Sequence, residues 1–346
     1  MYSKCFSLPD AQEVFDKMPA RSVIACTALS SGYVECGHSE VALDCLQHMQ
    51  TEGISMSIAA FICGLKACRE IGSRVKGRQL HIEIIKRGLL EIEVFIGSIL
   101  VDMYVNCGLL AEAQVVFDRL PVRDVVSWTA LITGFTEHGY GEDALHYHEE
   151  MKQEGITQDA IILVCSLKAC TSIGASEKGQ QIHGEILKKG LERDDIIRET
   201  LVDLYAKCGL LRTAKAIFDG LMVKDLDLWN VLIAGYAQLG DCENVYYAFE
   251  RMVGEGIEPS LVTFLHVLNA CSHGGLVAEG HMVMESMNRH CKLRAILDYS
   301  SCKPTLEHFC FKVMPTLDHF SCIVDILGRA GCIDQVLYII NEMPFH

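Results

Sequence analysis

CGLKACREIG (Cys63–Gly72) and VCSLKACTSIG (Val164–Gly174) are two copies of one pattern, and their last glycines lie 102 residues apart. Trp128 recurs as Trp229 after a spacing of 101 residues. Self-similarity at a fixed spacing is the sequence signature of a solenoid, because one unit cannot bury its apolar face alone and stacks on its neighbours. The repetition therefore predicts a single extended repeat domain.

Each repeat contains two runs of apolar residues at helical spacing. In one unit, Ile96, Leu100 and Met103 follow each other at spacings of four and three, Cys107-Gly108 interrupts the run, and a second run follows. Two amphipathic helices joined by a glycine turn make a helical hairpin. Because 50% of the residues are apolar and only 7 are prolines, the composition suits an all-α protein with a continuous core.

The strings VVSWTALITGF (Val125–Phe135), LVDLYAKCG (Leu201–Gly209) and GQQIHGEILKKG (Gly179–Gly190) resemble pentatricopeptide repeat (PPR) proteins of land plants. Unit lengths of 35, 35–36 and 31 residues alternate as in their PLS subclass, where P, L and S name the three types in that order. The predicted P units are 23–57, 125–159 and 226–260; the L units are 58–93, 160–194 and 261–316; the S units are 1–22, 94–124, 195–225 and 317–346. The units 1–22 and 317–346 are truncated, and an insertion is expected near residues 288–313.

The resemblance implies a right-handed superhelical α-solenoid that recognises single-stranded RNA, one base per repeat. It further implies a mitochondrial or chloroplast transcript as target, a role in C-to-U editing or other RNA processing, and editing-complex proteins as further partners. The chain then resembles a fragment without the C-terminal extension and deaminase domains of many relatives. The repeat pattern begins at residue 1, so no targeting peptide is expected in this chain.

Other classes of protein fit the sequence less well. No stretch of 18 residues is apolar and free of charged side chains, so no membrane span is expected. The triplets His81-Ile82-Glu83 and His183-Gly184-Glu185 match half of the zinc-deaminase signature, but the P-C-x-x-C half is missing. Both triplets occupy the same place in an L unit, which favours a structural role. We therefore expect no catalytic residue, no cofactor and no small-molecule substrate.

Several of the seventeen cysteines occupy equivalent positions of the repeats. One equivalent position holds Cys5, Cys36, Cys107 and Cys208, and another holds Cys68, Cys170 and Cys271. Such repetition favours packing, because a free cysteine behaves as a small buried hydrophobe. No two cysteines have C-x-x-C spacing, so neither a metal site nor a structural disulfide is expected. A zinc site is a minor alternative in the region that carries Cys291, Cys302, His308, Cys310, His319 and Cys322.

The resemblance places base contacts at the fifth and last residues of each unit and a stacking side chain at the second. The implied base-reading pairs are Thr27 with Ser57, Ser98 with Asp124, Thr129 with Asp159, Glu199 with Asp225, and Asn230 with Ser260. The implied stacking residues are Ile24, Phe95, Val126, Ile161, Ile196 and Val262. By the family pattern, Thr with Asp implies guanine and Asn with Ser implies cytosine, so we expect G-x-x-C in a bound site. Small polar residues and Asp around a helix start are also ordinary capping choices, and the residues alone leave both interpretations open.

The charge of the chain opposes an RNA-binding role. It has 30 basic and 45 acidic residues and a formal net charge of −15, whereas nucleic-acid modules usually carry a basic surface. We expect the acids on the outer second helices, and the resemblance implies Lys4 and Lys207 as phosphate contacts. The alternatives are a scaffold that binds proteins and a truncated fragment without function.

Overall fold

The computed structural model describes residues 8–18, 22–287 and 317–329, and its regular elements there are helices without strands. The helices form two compact units that divide between Ile173 and Gly174. The first unit holds α1 (Leu8–Asp16), α2 (Val23–Glu35), α3 (Ser39–Thr51), α4 (Ile58–Ile71), α5 (Arg74–Lys86), α6 (Leu89–Ile92), α7 (Val94–Asn106), α8 (Leu110–Asp118), α9 (Val125–Glu137), α10 (Gly141–Gln153) and α11 (Ala160–Ile173). The second holds α12 (Ser176–Lys188), α13 (Asp195–Lys207), α14 (Leu211–Asp219), α15 (Leu226–Gln238), α16 (Cys242–Gly254), α17 (Leu261–Gly274), α18 (277–287) and α19 (Leu317–Arg329).

Each compact unit is a stack of helical hairpins. In the first, α2 packs on α3, α7 on α8 and α9 on α10, and the first helices α2, α4, α7, α9 and α11 contact each other in succession. In the second, α13 packs on α14, α15 on α16, and α13, α15, α17 and α19 contact each other in the same way. Within each compact unit the first helices thus form one layer and the second helices another. The predicted all-α repeat architecture is confirmed, and the assignment of P, L and S boundaries stays a prediction.

Short polar side chains and glycines set the ends of the helices. Ser57 precedes α4, and its hydroxyl accepts the backbone N–H of Ala60 at 3.2 Å. The same helix ends at Gly72, whose φ of 66° lies in the left-handed region that glycine enters at little cost. A serine before the helix and a glycine after it therefore fix both ends of a repeat helix.

The two tryptophans have equivalent surroundings, as the repeat spacing predicts. Trp128 and Trp229 are both 0% exposed. The ring of Trp128 packs edge-on against Phe117, with ring centroids 4.6 Å apart and an interplanar angle of 75°. The ring of Trp229 packs in the same way against Phe218, with a centroid distance of 4.6 Å and an angle of 73°. Edge-to-face pairs of this kind contribute about 0.5–1.5 kcal/mol beyond burial. Each pair joins the second helix of one hairpin to the first helix of the next.

The cysteines of the described residues are free thiols. Cys68, Cys170 and Cys271 are fully buried, which agrees with the packing interpretation, and burial raises the pKa of Cys68 and Cys271 to about 12. At the other repeated position Cys107 is buried, Cys36 and Cys208 are half-buried, and Cys5 lies outside the described residues. No group of three or more His, Cys, Asp or Glu side chains is placed to hold a metal within the described ranges. The predicted insertion near residues 288–313 lies outside those ranges.

None of the helices in the described part of the chain is both long and apolar enough to cross a membrane.

Candidate nucleic-acid interface

Apolar side chains at the second position of the predicted units are exposed in a regular series. They lie in the first turn of the first-layer helices, and their exposed fractions are 81% for Ile24, 50% for Phe95, 50% for Val126, 58% for Ile161, 63% for Ile196 and 53% for Val262. A single exposed apolar residue on a protein surface needs no explanation. A series that recurs at the second position of six predicted units does need one, although Ala59 and Asp227 interrupt it. The flat face of an aromatic ring is one surface that such side chains can contact.

The last residues of the units cap the helices that follow. Asp124 Oδ1 accepts the N–H of Ser127 at 2.8 Å, Asp159 Oδ1 that of Ile162 at 2.9 Å, and Asp225 Oδ1 that of Leu228 at 2.9 Å. Ser57 and Ser260 accept in the same way through Oγ at 3.2 Å. The capping interpretation is thus correct for these residues. It does not exclude base contacts, because the caps use Oδ1 of each carboxylate and hold Oδ2 at a defined place.

The fifth residues Thr27 and Thr129 present oxygen lone pairs. The Thr27 hydroxyl donates to the Val23 carbonyl at 2.7 Å, and the Thr129 hydroxyl donates to the Val125 carbonyl at 2.7 Å. A hydroxyl has one proton and two lone pairs, so a threonine that donates to its own helix is left as an acceptor. Both side chains are half-buried and lie next to an exposed stacking residue.

Ser98 departs from this arrangement. Its side chain is 0% exposed, and its hydroxyl donates to Asp124 Oδ1 at 2.9 Å. Asp124 therefore holds two bonds on one oxygen, one from the Ser98 hydroxyl and one from the Ser127 backbone. In this pair only the aspartate reaches the surface.

Glu199 and Asp225 form an acidic site. The pKa of Glu199 is raised by burial and by the charges of Asp225, Asp195 and Asp194. Arg198 Nη1 lies 3.7 Å from Asp195 Oδ1, and the guanidinium partly offsets the negative charge of the site. Two carboxylates next to each other repel anions, so this site disfavours a phosphate group at neutral pH.

Asn230 and Ser260 are joined by a third residue, Thr263, that the sequence did not indicate. Asn230 Oδ1 accepts the Thr263 hydroxyl at 2.7 Å. Thr263 Oγ1 in turn accepts the backbone N–H of Ser260 at 3.0 Å, and Ser260 Oγ accepts the backbone N–H of Thr263 at 3.2 Å. The reciprocal bonds are a capping box, whose sequence sign is a hydroxyl residue three positions after the cap. That sign is present in Ser260 and Thr263, but it carries no information about Asn230.

The structure describes one of the two lysines that the resemblance implies as phosphate contacts, and that role stays a prediction. Lys207 Nζ lies 3.0 Å from Asp203 Oδ1, so a carboxylate already partners its charge, and Lys4 lies outside the described residues. Lys66 and Lys168 are exposed on α4 and α11, four residues after the fifth positions of two predicted L units. A spacing of four keeps both lysines on the helix face that carries those fifth positions. The repeated segment LKAC shows that Lys66 and Lys168 are equivalent, whereas the resemblance implies Lys4 and Lys207 as phosphate contacts.

His81 and His183 of the two H-x-E triplets have structural contacts. Nδ1 of His81 lies 2.8 Å from the Tyr104 hydroxyl, and Nδ1 of His183 lies 2.8 Å from the Tyr205 hydroxyl. Burial lowers the pKa of both histidines. Each pair joins a second-layer helix to the first helix of the next hairpin, which supports the structural interpretation of the triplets.

Comparisons with known proteins agree with this architecture. The family model for the PPR repeat matches residues 24–54, 126–156 and 199–226, and the model for the pentatricopeptide repeat domain matches residues 219–273. Among curated relatives, pentatricopeptide repeat-containing protein At4g38010 of Arabidopsis thaliana is 36% identical over 345 residues, which cover 99% of this chain and 57% of that protein. The mitochondrial At2g03880 of the same plant is 33% identical, and the chloroplastic CRR2 is 34% identical; the match covers 99% of this chain and 50% of each relative.

A solved structure shows the same fold. The crystal structure of the pentatricopeptide repeat protein PPR10 in complex with an 18-nt psaJ RNA element matches with a TM-score of 0.72 at 16% identity, over 99% of this chain and 48% of that chain. The predicted α-solenoid class is thereby confirmed. The chain spans about half the length of the relatives it matches. The chain therefore carries pentatricopeptide repeats at the matched residues and is similar to pentatricopeptide repeat-containing proteins over 99% of its length.

Proposed function

We propose that the chain binds single-stranded RNA along its first helices, with one nucleotide at each unit and the base read mainly at the P and S units. The observation that carries this proposal is the series of exposed apolar side chains in the first turns of the first helices. The fifth residue of the same unit is polar beside Ile24, Phe95, Val126 and Ile196 and apolar beside Ile161 and Val262. Stacking of bases on protein side chains tolerates any sequence, whereas hydrogen bonds to base edges supply the choice of base. The surface offers both kinds of contact in a repeated order.

The hydrogen bonds favour guanine at the site of Thr129 and Asp159. Thr129 donates its proton to Val125 and therefore presents an acceptor, and Asp159 presents a second acceptor through Oδ2. The Watson–Crick edge of guanine carries two neighbouring donors, the N1 imino and the N2 amino group. The two donors of guanine therefore match the two acceptors that Thr129 and Asp159 present.

Phosphate contacts belong with Lys66 and Lys168 rather than with Lys207. Both lysines are exposed on first helices, whereas Asp203 already partners Lys207. The fifth residues of their units, Ile62 and Val164, cannot form hydrogen bonds to a base. We therefore assign the L units of the first compact unit a backbone-binding role, in which a lysine replaces the base contact.

The biological setting is that of an organellar transcript. Relatives that are named mitochondrial or chloroplastic support this setting, as does the resemblance to factors that specify C-to-U editing or other RNA processing. We propose no catalytic role for this chain, and editing-complex proteins are its proposed further partners. A protein-binding scaffold is the competing function.

Binding of RNA by matched apolar variants tests the proposal. Ile161→Ala removes a proposed stacking side chain on α11, and Ile85→Ala removes an equally exposed isoleucine on the second-layer helix α5, with exposed fractions of 58% and 51%. Stacking contributes about 1–3 kcal/mol per base on aromatic residues, so we expect about a fivefold loss of affinity for Ile161→Ala and none for Ile85→Ala. Anisotropy with a labelled random RNA pool at low salt measures both. Equal losses, or no binding by the parent chain, would overturn the proposal and favour the scaffold.

A further inference from the structure

Asn230 is the one fifth-position amide among the proposed base-reading residues, and its orientation decides what it can contact. The amide oxygen accepts hydrogen bonds and the amide nitrogen donates them, so turning the group by half a rotation reverses its chemistry. Asn230 is half-buried, and its neighbour Thr263 is fully buried. The contacts on the Thr263 side therefore control which end of the amide reaches the surface.

The Thr263 hydroxyl is fixed as a donor toward Asn230. Its oxygen accepts the backbone N–H of Ser260 at 3.0 Å and lies 3.0 Å from the Ser260 hydroxyl oxygen. With the Ser260 hydroxyl as donor in that contact, both lone pairs of Thr263 Oγ1 are filled, and its proton goes to Asn230 Oδ1 at 2.7 Å. Because Thr263 is buried, water does not compete for this bond. The amide oxygen is thereby occupied on the protein side, and the Nδ2 amino group is the end left for a ligand.

The equivalent sites lack this contact. The residue three positions after the cap is Thr263 beside Asn230, but Ile162 beside Thr129 and Ala60 beside Thr27. Neither isoleucine nor alanine can donate to a fifth residue, and both threonines instead donate to their own helices. Two of the P units thus present an acceptor at the fifth position and the third presents a donor.

Resting on the RNA-binding function proposed above, we propose that Thr263 is a specificity-determining residue of the third P unit. It holds the Asn230 amide with Nδ2–H toward the bound base. The site then accepts a base whose facing edge carries an acceptor, as N3 and O2 of cytosine do, and disfavours an edge that presents only donors. Thr263 acts without contacting the RNA.

The test removes the hydroxyl and keeps the shape. Selections from randomised RNA are run with the parent chain, Thr263→Val and Thr263→Ser. We expect the cytosine preference at this position to fall from about fivefold to less than about twofold in the valine variant, because one hydrogen bond fixes the amide, and to persist in the serine variant. The preference for guanine at the Thr129 site should be unchanged in all three. A valine variant with the parent's preference at the Asn230 position would overturn the inference.

A second variant pair keeps the test independent of how Thr263→Val folds. In a Thr129→Asn background, Ile162→Thr places a hydroxyl three residues after the cap of the second P unit. We expect this addition to narrow base choice at that position toward acceptor-bearing pyrimidine edges. Identical profiles with and without Ile162→Thr would count against the inference. If the parent chain selects no RNA sequence at all, the proposed function itself fails and the inference falls with it.

Discussion

The site of Thr129 in the first compact unit and the site of Asn230 in the second share one framework and differ in their hydrogen bonds. Each lies directly after a fully buried tryptophan that packs edge-on against a phenylalanine. Yet Thr129 donates to its own helix, whereas Asn230 accepts from the hydroxyl of Thr263. The repeated core thus fixes where a fifth residue lies, and one or two local bonds decide whether it acts as a donor or an acceptor.

The charges show a second contrast between equivalent places. In the predicted S unit 195–225, Glu199 stands where the predicted S unit 94–124 has Ser98, and burial and nearby acids raise the pKa of Glu199. In the predicted L units, Lys66 and Lys168 are exposed on the same layer of helices. The net charge of −15 therefore does not describe each site, because two predicted L units expose a lysine where the predicted S unit 195–225 carries an acidic pair.

The largest expected effect concerns the shared framework. Trp128→Ala and Trp229→Ala should each lower the free energy of unfolding of their compact unit by about 3–5 kcal/mol, because each removes a fully buried indole. Denaturant unfolding followed by circular dichroism measures the loss. Met222→Ala, at a side chain that is 88% exposed, is the control and should change stability little. A large loss for only one tryptophan would break the equivalence of the two sites.

The next effect concerns the difference between the two sites. Thr129→Asn should move the preferred base at that position from guanine toward uracil by about tenfold, the order of one good base contact. Selection from randomised RNA measures the change. Thr213→Asn, at an exposed position of the second-layer helix α14, is the matched control and should leave every position unchanged. Retention of guanine by Thr129→Asn would show that this residue does not contact the base.

A smaller effect should separate phosphate contacts from base contacts. Lys66→Ala and Lys168→Ala should weaken all RNA sequences alike, and each should reduce the slope of log affinity against log salt by about 0.7. Lys207→Ala should have less effect, because Asp203 partners that lysine at 3.0 Å. Titrations at several salt concentrations measure the slopes. A greater effect for Lys207 than for Lys66 would reverse our assignment.

The smallest effect is the pH dependence of the Glu199 site. Because the pKa of Glu199 is raised in the folded chain, the carboxyl takes up a proton at a higher pH than in the unfolded chain. Protonation of Glu199 should therefore increase both folding stability and RNA affinity as the pH falls through that raised pKa. The increase should disappear again as the pH rises above it. Glu199→Gln should remove this dependence when affinity is measured between about pH 4 and pH 7. The same pH profile in the parent and the variant would assign the dependence to other groups.

The repeat spacing was enough to predict the fold, since apolar periodicity and the recurrence of Trp128 as Trp229 depend on packing that each repeat reproduces. The exposure of the stacking series, from Ile24 to Val262, follows from the same regularity. Whether the fifth residue of each site donates or accepts a hydrogen bond did not follow from the repeat spacing. The sequence gives no sign that Thr263 bonds to Asn230, that Ser98 is buried against Asp124, or that Asp203 partners Lys207, because these contacts depend on side-chain geometry between neighbouring helices.

Selection from randomised single-stranded RNA by the parent chain at low salt tests the central claim most directly. We expect enrichment of guanine and, three positions downstream, of cytosine, as the Thr129 and Asn230 sites require. An enriched site without that spacing would contradict the assignment of these two sites. Absence of any enriched sequence would contradict the RNA-binding function itself and leave the protein-binding scaffold as the better interpretation.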